Sequence, residues 1–200
     1  TTTDKGDEAL VEVDRKLGMK YFRGGIQDVL ESFYRAAKEF KITDIGRVTA
    51  DCPLIDPDVI DLAAKEYLSG KYDYVGVNRP LGEETYPDGL DFEIFSFAAL
   101  ERAWREAKLS SEREHVTPYI WKNPGKFRIS SVKSPIDLSS YRLTLDRPED
   151  YESIKMIYES VTPLTLRNII KFLDSHPKAK ELNAAVARDE SYHKQVIDEG

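Results

Sequence analysis

The sequence predicts an α/β fold built on a largely parallel sheet. Three observations carry that expectation. Apolar residues at helical spacing alternate with short aromatic and β-branched runs along the chain, the pattern of βαβ units. Two of the runs read as strands end directly in an aspartate, Asp51 and Asp146, and in open α/β sheets ligands bind beyond the carboxyl ends of the strands. The length of 200 residues, with 40% hydrophobic and 32% charged content, suits one globular domain with a small appendage.

Each element has its own signal. Leu10, Val13 and Leu17 recur at helical spacing, and Gly18 is placed to end that helix. Residues 19–22 read as a short strand and Gly24-Gly25 as a turn. Val29, Leu30, Phe33, Ala37 and Phe40 share one face of a second helix, and residues 44–50 form a strand. Asp56 at N-cap and Pro57 at N1 open a third helix with a core face of Ile60, Ala63, Ala64 and Tyr67, closed by Gly70. Residues 72–77 read as a strand. A polar loop over 78–88 leads into a strand over 90–95, and Ser96 caps a helix carrying Leu100, Trp104 and Ala107. Ser111-Glu112-Arg113-Glu114 has the form of a capping box, and Pro118 either kinks that helix or restarts it at Thr117. Residues 127–132 and 141–145 read as strands. Helices over 149–159 and 166–173 follow, with a weak, charged one after Pro177 and a last ten residues expected to fray.

Composition excludes several classes. A net charge of −7 argues against broad nucleic-acid binding, which needs a basic footprint. No apolar stretch spans a bilayer, and no signal peptide is visible. The single Cys52 excludes an intrachain disulfide and fits a reducing compartment, the cytoplasm. Cys52 is either a nucleophile or a packing residue, and packing is favoured because no Lys, Arg or helix start clearly activates it.

The chemistry-bearing candidates are few. Asp51 is either a Mg²⁺ ligand beside a phosphate or a turn residue bonding nearby backbone ahead of Pro53. Asp146 repeats the design before Arg147-Pro148-Glu149-Asp150 starts a helix, where an acidic residue also suits the helix dipole. Adjacent strand ends would bring the two carboxylates to one side of the sheet. Tyr86-Pro87-Asp88-Gly89-Leu90-Asp91 is either a sugar-binding loop or a plain approach to a strand. His115 is a proton shuttle, a sugar contact or a surface histidine. Arg47, Arg79 and Arg142 either neutralise phosphates or serve solubility.

Four ordered segments tie these residues together: Arg47-Val48-Thr49-Ala50-Asp51-Cys52-Pro53-Leu54-Ile55-Asp56, the Tyr86 to Asp91 run, Glu112-Arg113-Glu114-His115-Val116-Thr117-Pro118-Tyr119, and Arg142-Leu143-Thr144-Leu145-Asp146. In this order they resemble the cytidylyltransferase family that activates sugars, in the branch named for spore coat polysaccharide biosynthesis. The resemblance covers residues 1–183 and leaves 184–200 as a tail. It implies a Rossmann-related fold of GT-A type, a mixed, mostly parallel sheet with helices on both faces. It implies transfer of a cytidylyl group from CTP to a sugar hydroxyl with release of pyrophosphate. From the more distant acid-sugar CMP synthetases, Asp51 and Asp146 take the role of Mg²⁺ ligands. Arg47, Asp88, Asp91, Arg113, His115 and Arg142 are carried as substrate contacts. The family also implies a homodimer formed through residues 78–134, where Tyr119, Trp121 and Phe127 serve either an interface or the core.

One departure stands out. The family's Gly- and Arg-rich phosphate loop, of the form Arg-x-Gly-Ser-x-Arg-Leu-Pro-x-Lys, has no counterpart among these residues. The chain starts on Thr1 rather than Met, and Thr1-Thr2-Thr3-Asp4 is similar to the end of the family's second strand. The expectation is therefore an N-terminally truncated member, with the first strand missing, that binds CTP poorly and turns over little. Two alternatives remain: a glycosyltransferase of the same general fold, using Asp56-Pro57-Asp58 as its metal motif, and a non-catalytic module that keeps the fold.

Overall fold

A four-stranded mixed sheet with the order β1-β3-β2-β4 organises the chain in a computed structural model. The structure describes residues 1–199, apart from the side chain of Ser191; Gly200 lies outside the described residues. The strands are β1 Asp44–Val48, β2 Tyr74–Val77, β3 Phe92–Ser96 and β4 Ile129–Val132. The helices are α1 Glu8–Leu17, α2 Val29–Glu39, α3 Pro57–Leu68, α4 Phe97–Glu106, α5 Ser110–His115, α6 Pro118–Trp121, α7 Pro148–Ser160, α8 Leu166–Ser175, α9 Pro177–Glu181 and α10 Glu190–Glu199. Strand β2 pairs with β4 in parallel, Tyr74 opposite Ile129, and with β3 antiparallel, Tyr74 opposite Phe95.

The described residues divide into two compact units. One comprises residues 46–95 and 127–188. Its core gathers Leu54, Val59 and Ala63, Val75 and Val77 of β2, Leu90, Leu143, Ile154 and Ile157 of α7, and Ile169 and Leu173 of α8. Helix α3 starts as its sequence requires: Asp56 is the N-cap, accepting from the Asp58 N–H at 2.9 Å, and Pro57 follows at N1. The second Asp56 oxygen accepts from the Leu166 N–H at 2.5 Å, so this buried carboxylate fastens the starts of α3 and α8.

The other unit comprises residues 1–45, 96–126 and 189–200. Tyr34 and Trp104 stack with ring centroids 4.0 Å apart, and Phe97 lies 5.8 Å from Tyr34. Ser96 caps α4 through the Ala99 N–H at 3.1 Å, and Gly18, at φ 67°, ends α1 as its position predicts. Val116 breaks the backbone at φ 73°, and α6 restarts with Thr117 at N-cap and Pro118 at N1.

Several expectations are corrected. Helix α1 forms where the spacing predicts, with Leu10, Val13 and Leu17 exposed at 57, 50 and 68% and Val11 buried. Helical spacing reports which residues share a face, not which face is covered. Residues 19–22 form no strand; a single bridge, between Thr2 and Gly24, lies just beyond them. The capping box of α5 sits two residues earlier than its pattern suggests. Glu112, at N3, accepts from the Leu109 N–H at 3.2 Å and the Lys108 N–H at 3.1 Å. The last residues form α10 rather than fraying, because Glu199 accepts from both hydroxyls of Ser110 and Ser111 and from the Ser111 N–H. Tyr119, Trp121 and Phe127 are all buried within the chain.

The double role of Asp56 gives a test. Asp56→Ala removes a cap and strands the Leu166 N–H, so urea denaturation should show a loss of about 2 kcal/mol.

Candidate active site

A carboxylate follows β1 because the strand runs into a tight turn. Thr49 Oγ1 donates to Asp51 Oδ1, and the Cys52 sulfur lies 3.6 Å from the same oxygen. Among the described residues no hydrogen bond or ion pair reaches Asp51 Oδ2. Burial pushes the Cys52 thiol up to about 12, with the Thr49 bond acting against it. The thiol therefore stays protonated at neutral pH and packs rather than reacts.

Residues 141–145, expected as a strand, form no regular ladder. They are laced between two loops instead. The Asp88 N–H donates to the Tyr141 carbonyl at 3.0 Å, the Leu143 N–H to the Asp88 carbonyl at 2.7 Å, and the Leu145 N–H to the Asp51 carbonyl at 2.8 Å. Thr144 Oγ1 adds a 3.1 Å bond to that same Asp51 carbonyl. The alternating pattern of Tyr141, Leu143 and Leu145 is thus satisfied by loop backbone rather than by a neighbouring strand. Gly89 makes the approach possible: at φ 93°, a Cβ there would sit 2.4 Å from the Thr144 nitrogen. Asp146, one residue beyond Leu145, thereby comes to the turn that holds Asp51.

Arg142 binds this lacing together. Its side chain is 8% exposed, with Nη1 2.7 Å from Asp88 Oδ2, Nη2 2.7 Å from Asp146 Oδ2 and Nε 2.9 Å from Asp150 Oδ1. Asp150 is fully buried and also accepts from the Asp146 and Arg147 N–H groups, each at 3.0 Å, and from Asn183 Nδ2 at 2.8 Å. Burial alone would raise the Asp150 carboxyl; the Arg142 bond, then the Asp146 backbone and Asn183, hold it below the usual carboxylate range. Burial likewise opposes the Arg142 charge, but its bonds to Asp150 and the charges of Asp88 and Asp150 raise its pKa above the usual value. Asp146 is 49% exposed on its side chain; Oδ2 is held by Arg142, and no described residue bonds Oδ1.

The loop preceding β3 joins the same network. Asp91 lies 3.3 Å from Arg79 Nη1 and 3.5 Å from Arg188 Nη2, and accepts from the Gly89 N–H at 3.0 Å. Arg188 also reaches Asp88 at 3.9 Å and donates to the Tyr86 carbonyl at 3.2 Å. Four carboxylates (Asp88, Asp91, Asp146 and Asp150) thus meet three guanidiniums (Arg79, Arg142 and Arg188), and Asp51 joins them through its backbone carbonyl.

Of the predicted residues, Asp51, Asp88, Asp91, Arg142 and Asp146 belong to one unit and one network. Arg47 is committed to Glu93 at 2.5 Å, and Glu93 in turn accepts from Tyr74 Oη at 2.6 Å in the buried sheet. Arg113 and His115 belong to the other unit. There Arg113 grips the carboxylate of Asp28, the N-cap of α2, and donates to the Trp104 carbonyl at 2.7 Å, while His115 Nε2 lies 3.0 Å from Gln195 Oε1. Sequence reasoning missed Asp150, Asn183 and Arg188. Only Asp150 left a signal, as the third residue of a helix opened by Pro148.

Among the described residues, no group of three or more His, Cys, Asp or Glu side chains is arranged to hold a metal. Asp51 and Asp146 fit a different donor set, the one or two carboxylates that Mg²⁺ takes before filling its shell with water and phosphate oxygens.

The family model for cytidylyltransferases matches residues 1–191. The chain belongs to the cytidylyltransferase family. Its relatives include an uncharacterized protein, MJ1063, of Methanocaldococcus jannaschii, 37% identical over 196 residues, which span 96% of this chain and 78% of that protein. The spore coat polysaccharide biosynthesis protein SpsF of Bacillus subtilis is 32% identical over 187 residues, 89% of this chain and 75% of SpsF. The solved structure of a cytidylyltransferase from Leptospira borgpetersenii matches with a TM-score of 0.84 at 32% identity, covering 90% of this chain and 76% of that one. Family membership makes the chain a member of a transferase family, and the α/β fold with a mixed sheet agrees with the solved relative.

Two outcomes follow for the network. Gly89→Ala places a methyl group against backbone at a positive φ and should cost about 3 kcal/mol in urea denaturation. The Asp150 carboxyl is depressed in the folded state, so its contribution is complete above the usual carboxylate pKa and is lost as pH falls through the folded value. Stability measured during acidification should therefore drop less steeply in Asp150→Asn than in the unaltered chain.

Proposed function

We propose that this cytidylyltransferase moves a cytidylyl group from CTP to a sugar hydroxyl, releasing pyrophosphate, with Mg²⁺ held by Asp51 and Asp146. The supporting observation is the pairing of the two segments. The Leu145 N–H and Thr144 hydroxyl both bond the Asp51 carbonyl, at 2.8 and 3.1 Å, and each carboxylate has one oxygen anchored and the other unengaged. When bound, Mg²⁺ supplies charge stabilisation to the α-phosphate as the sugar oxygen attacks in line. The chain's own residues do the positioning. Thr49 orients Asp51, and Arg142 orients Asp146. Asp88 and Asp91, held by arginines, remain the proposed contacts for sugar hydroxyls, with Arg47, Arg113, His115 and Arg142 as proposed substrate contacts.

The same reading extends to a GT-A type of fold, supported by the likeness to a solved cytidylyltransferase, and to a role in surface or coat polysaccharide synthesis, supported by the name of SpsF. It extends also to a homodimer through residues 78–134 and to a reducing cytoplasmic setting, consistent with the single free, buried Cys52. The glycosyltransferase alternative loses its motif here. Both oxygens of Asp56 accept backbone N–H groups, from Asp58 at 2.9 Å and from Leu166 at 2.5 Å, so Asp56 serves as a cap.

Calorimetric titration with CTP and with UDP-sugars, each with and without Mg²⁺, tests the reading. Mg²⁺-dependent heat from CTP supports it; heat from UDP-sugars alone favours a glycosyltransferase. In a pyrophosphate-release assay, Asp51→Asn and Asp146→Asn should each lower turnover by about 100-fold, the loss of about 2.7 kcal/mol of transition-state stabilisation.

A further inference from the structure

Asp150 is the most deeply buried acid of the network, and no role in the reaction has so far been given to it. Its side chain is wholly inaccessible, so it cannot touch substrate or metal directly. Two of its partners, the Asp146 N–H and Arg142, lead to Asp146. Oδ1 takes Arg142 Nε at 2.9 Å and Asn183 Nδ2 at 2.8 Å. Oδ2 takes Arg142 Nη2 at 3.0 Å and the N–H groups of Asp146 and Arg147, each at 3.0 Å. The same Nη2 lies 2.7 Å from Asp146 Oδ2. One carboxylate thus fixes Asp146 twice, at its backbone nitrogen and, through Arg142, at its side chain.

Alternatives for this group are weaker. As a simple helix cap, Asp150 would need only the Asp146 and Arg147 N–H groups. The bidentate grip on Arg142 and the Asn183 amide go beyond capping. As a plain stability device, a buried ion pair is poor value, because desolvating the charges offsets most of their attraction. Groups that orient metal-binding side chains from behind have this form: buried, fully hydrogen-bonded and aimed at the far oxygen of the ligand.

We propose that Asp150 is a positioning residue for the reaction, acting with Arg142 to hold Asp146 so that its Oδ1 faces the cation. The proposal rests on the two-carboxylate Mg²⁺ reading above. It also recasts Arg142, carried from the sequence as a substrate contact, as the link between a buried anchor and a metal ligand. Asn183 completes the set by donating its amide to the Asp150 Oδ1 that Arg142 Nε also bonds.

The test is metal affinity, read without turnover. Mn²⁺ binding to the 200-residue chain is followed by electron paramagnetic resonance, at a temperature where melting curves show each variant fully folded. Asp146→Asn should abolish saturable binding. Asp150→Asn, which keeps the shape and much of the hydrogen bonding, should weaken Mn²⁺ by about 10- to 100-fold. Arg142→Lys should do the same, since a single ammonium cannot hold two carboxylates in one plane. Asn183→Ala provides a milder variant should Asp150→Asn not fold, with an expected weakening of several-fold. A folded Asp150→Asn or Asn183→Ala chain that binds Mn²⁺ as tightly as the unaltered chain, while Asp146→Asn does not bind, overturns the positioning role and leaves the metal site standing. An unaltered chain with no saturable Mn²⁺ binding overturns the metal reading and the positioning role together.

Discussion

The guanidinium of Arg142 is the constraint on which the site depends. It is 8% exposed and joins Asp88, in the loop before β3, to Asp146 and Asp150 at the start of α7. Remove it and Asp146 and Asp150 lose the guanidinium that pairs them, while Asp88 keeps Arg188 at 3.9 Å. Arg suits the position because its planar fork meets carboxylates edge-on at several nitrogens at once. The backbone supports it: the bridge between Asp88 and Arg142 and the close passage of Gly89 beside Thr144 set the segments at the spacing the side chains need.

What the sequence disclosed and what it concealed divide along local and tertiary lines. Asp56, Ser96 and Gly18 were readable as helix boundaries because a cap is a contact over two or three residues. Asp51 and Asp146 were readable because each ends an apolar run. The segment between Arg142 and Leu145 was misread as a strand because period-two alternation looks the same whether the partner is a strand or two loops. Arg188 and Asn183 lie in a charged stretch with no periodicity, and their importance comes only from where α9 and the following turn bring them. Helix α1 makes the related point that spacing shows which residues share a side and not which side is covered: Leu10, Val13 and Leu17 are exposed and Val11 is buried.

The two predicted basic residues of α5 and β1 show how a motif can mix roles. Arg113 clamps the N-cap of α2 to the carbonyl of Trp104, and Arg47 neutralises the buried Glu93 beneath Tyr74. Both have evident structural work within their own unit. A residue carried as a substrate contact can therefore also build the scaffold that keeps its neighbours in register.

Charge explains why such a network would be kept. Burying Arg142 and Asp150 carries a desolvation cost that pairing only offsets, so the network contributes little to net stability. A nonpolar core of the same volume would serve the fold at least as well. The arrangement does two things a nonpolar core cannot. It brings the turn that carries the Asp51 carboxylate to the segment that carries Asp146, through the Leu145 N–H bond to the Asp51 carbonyl. It also fixes Asp146 by one oxygen while leaving the other unengaged, which lowers the ordering needed when a ligand arrives. Both properties favour binding over stability, and the second weakens if the buried anchor at Asp150 loses its charge.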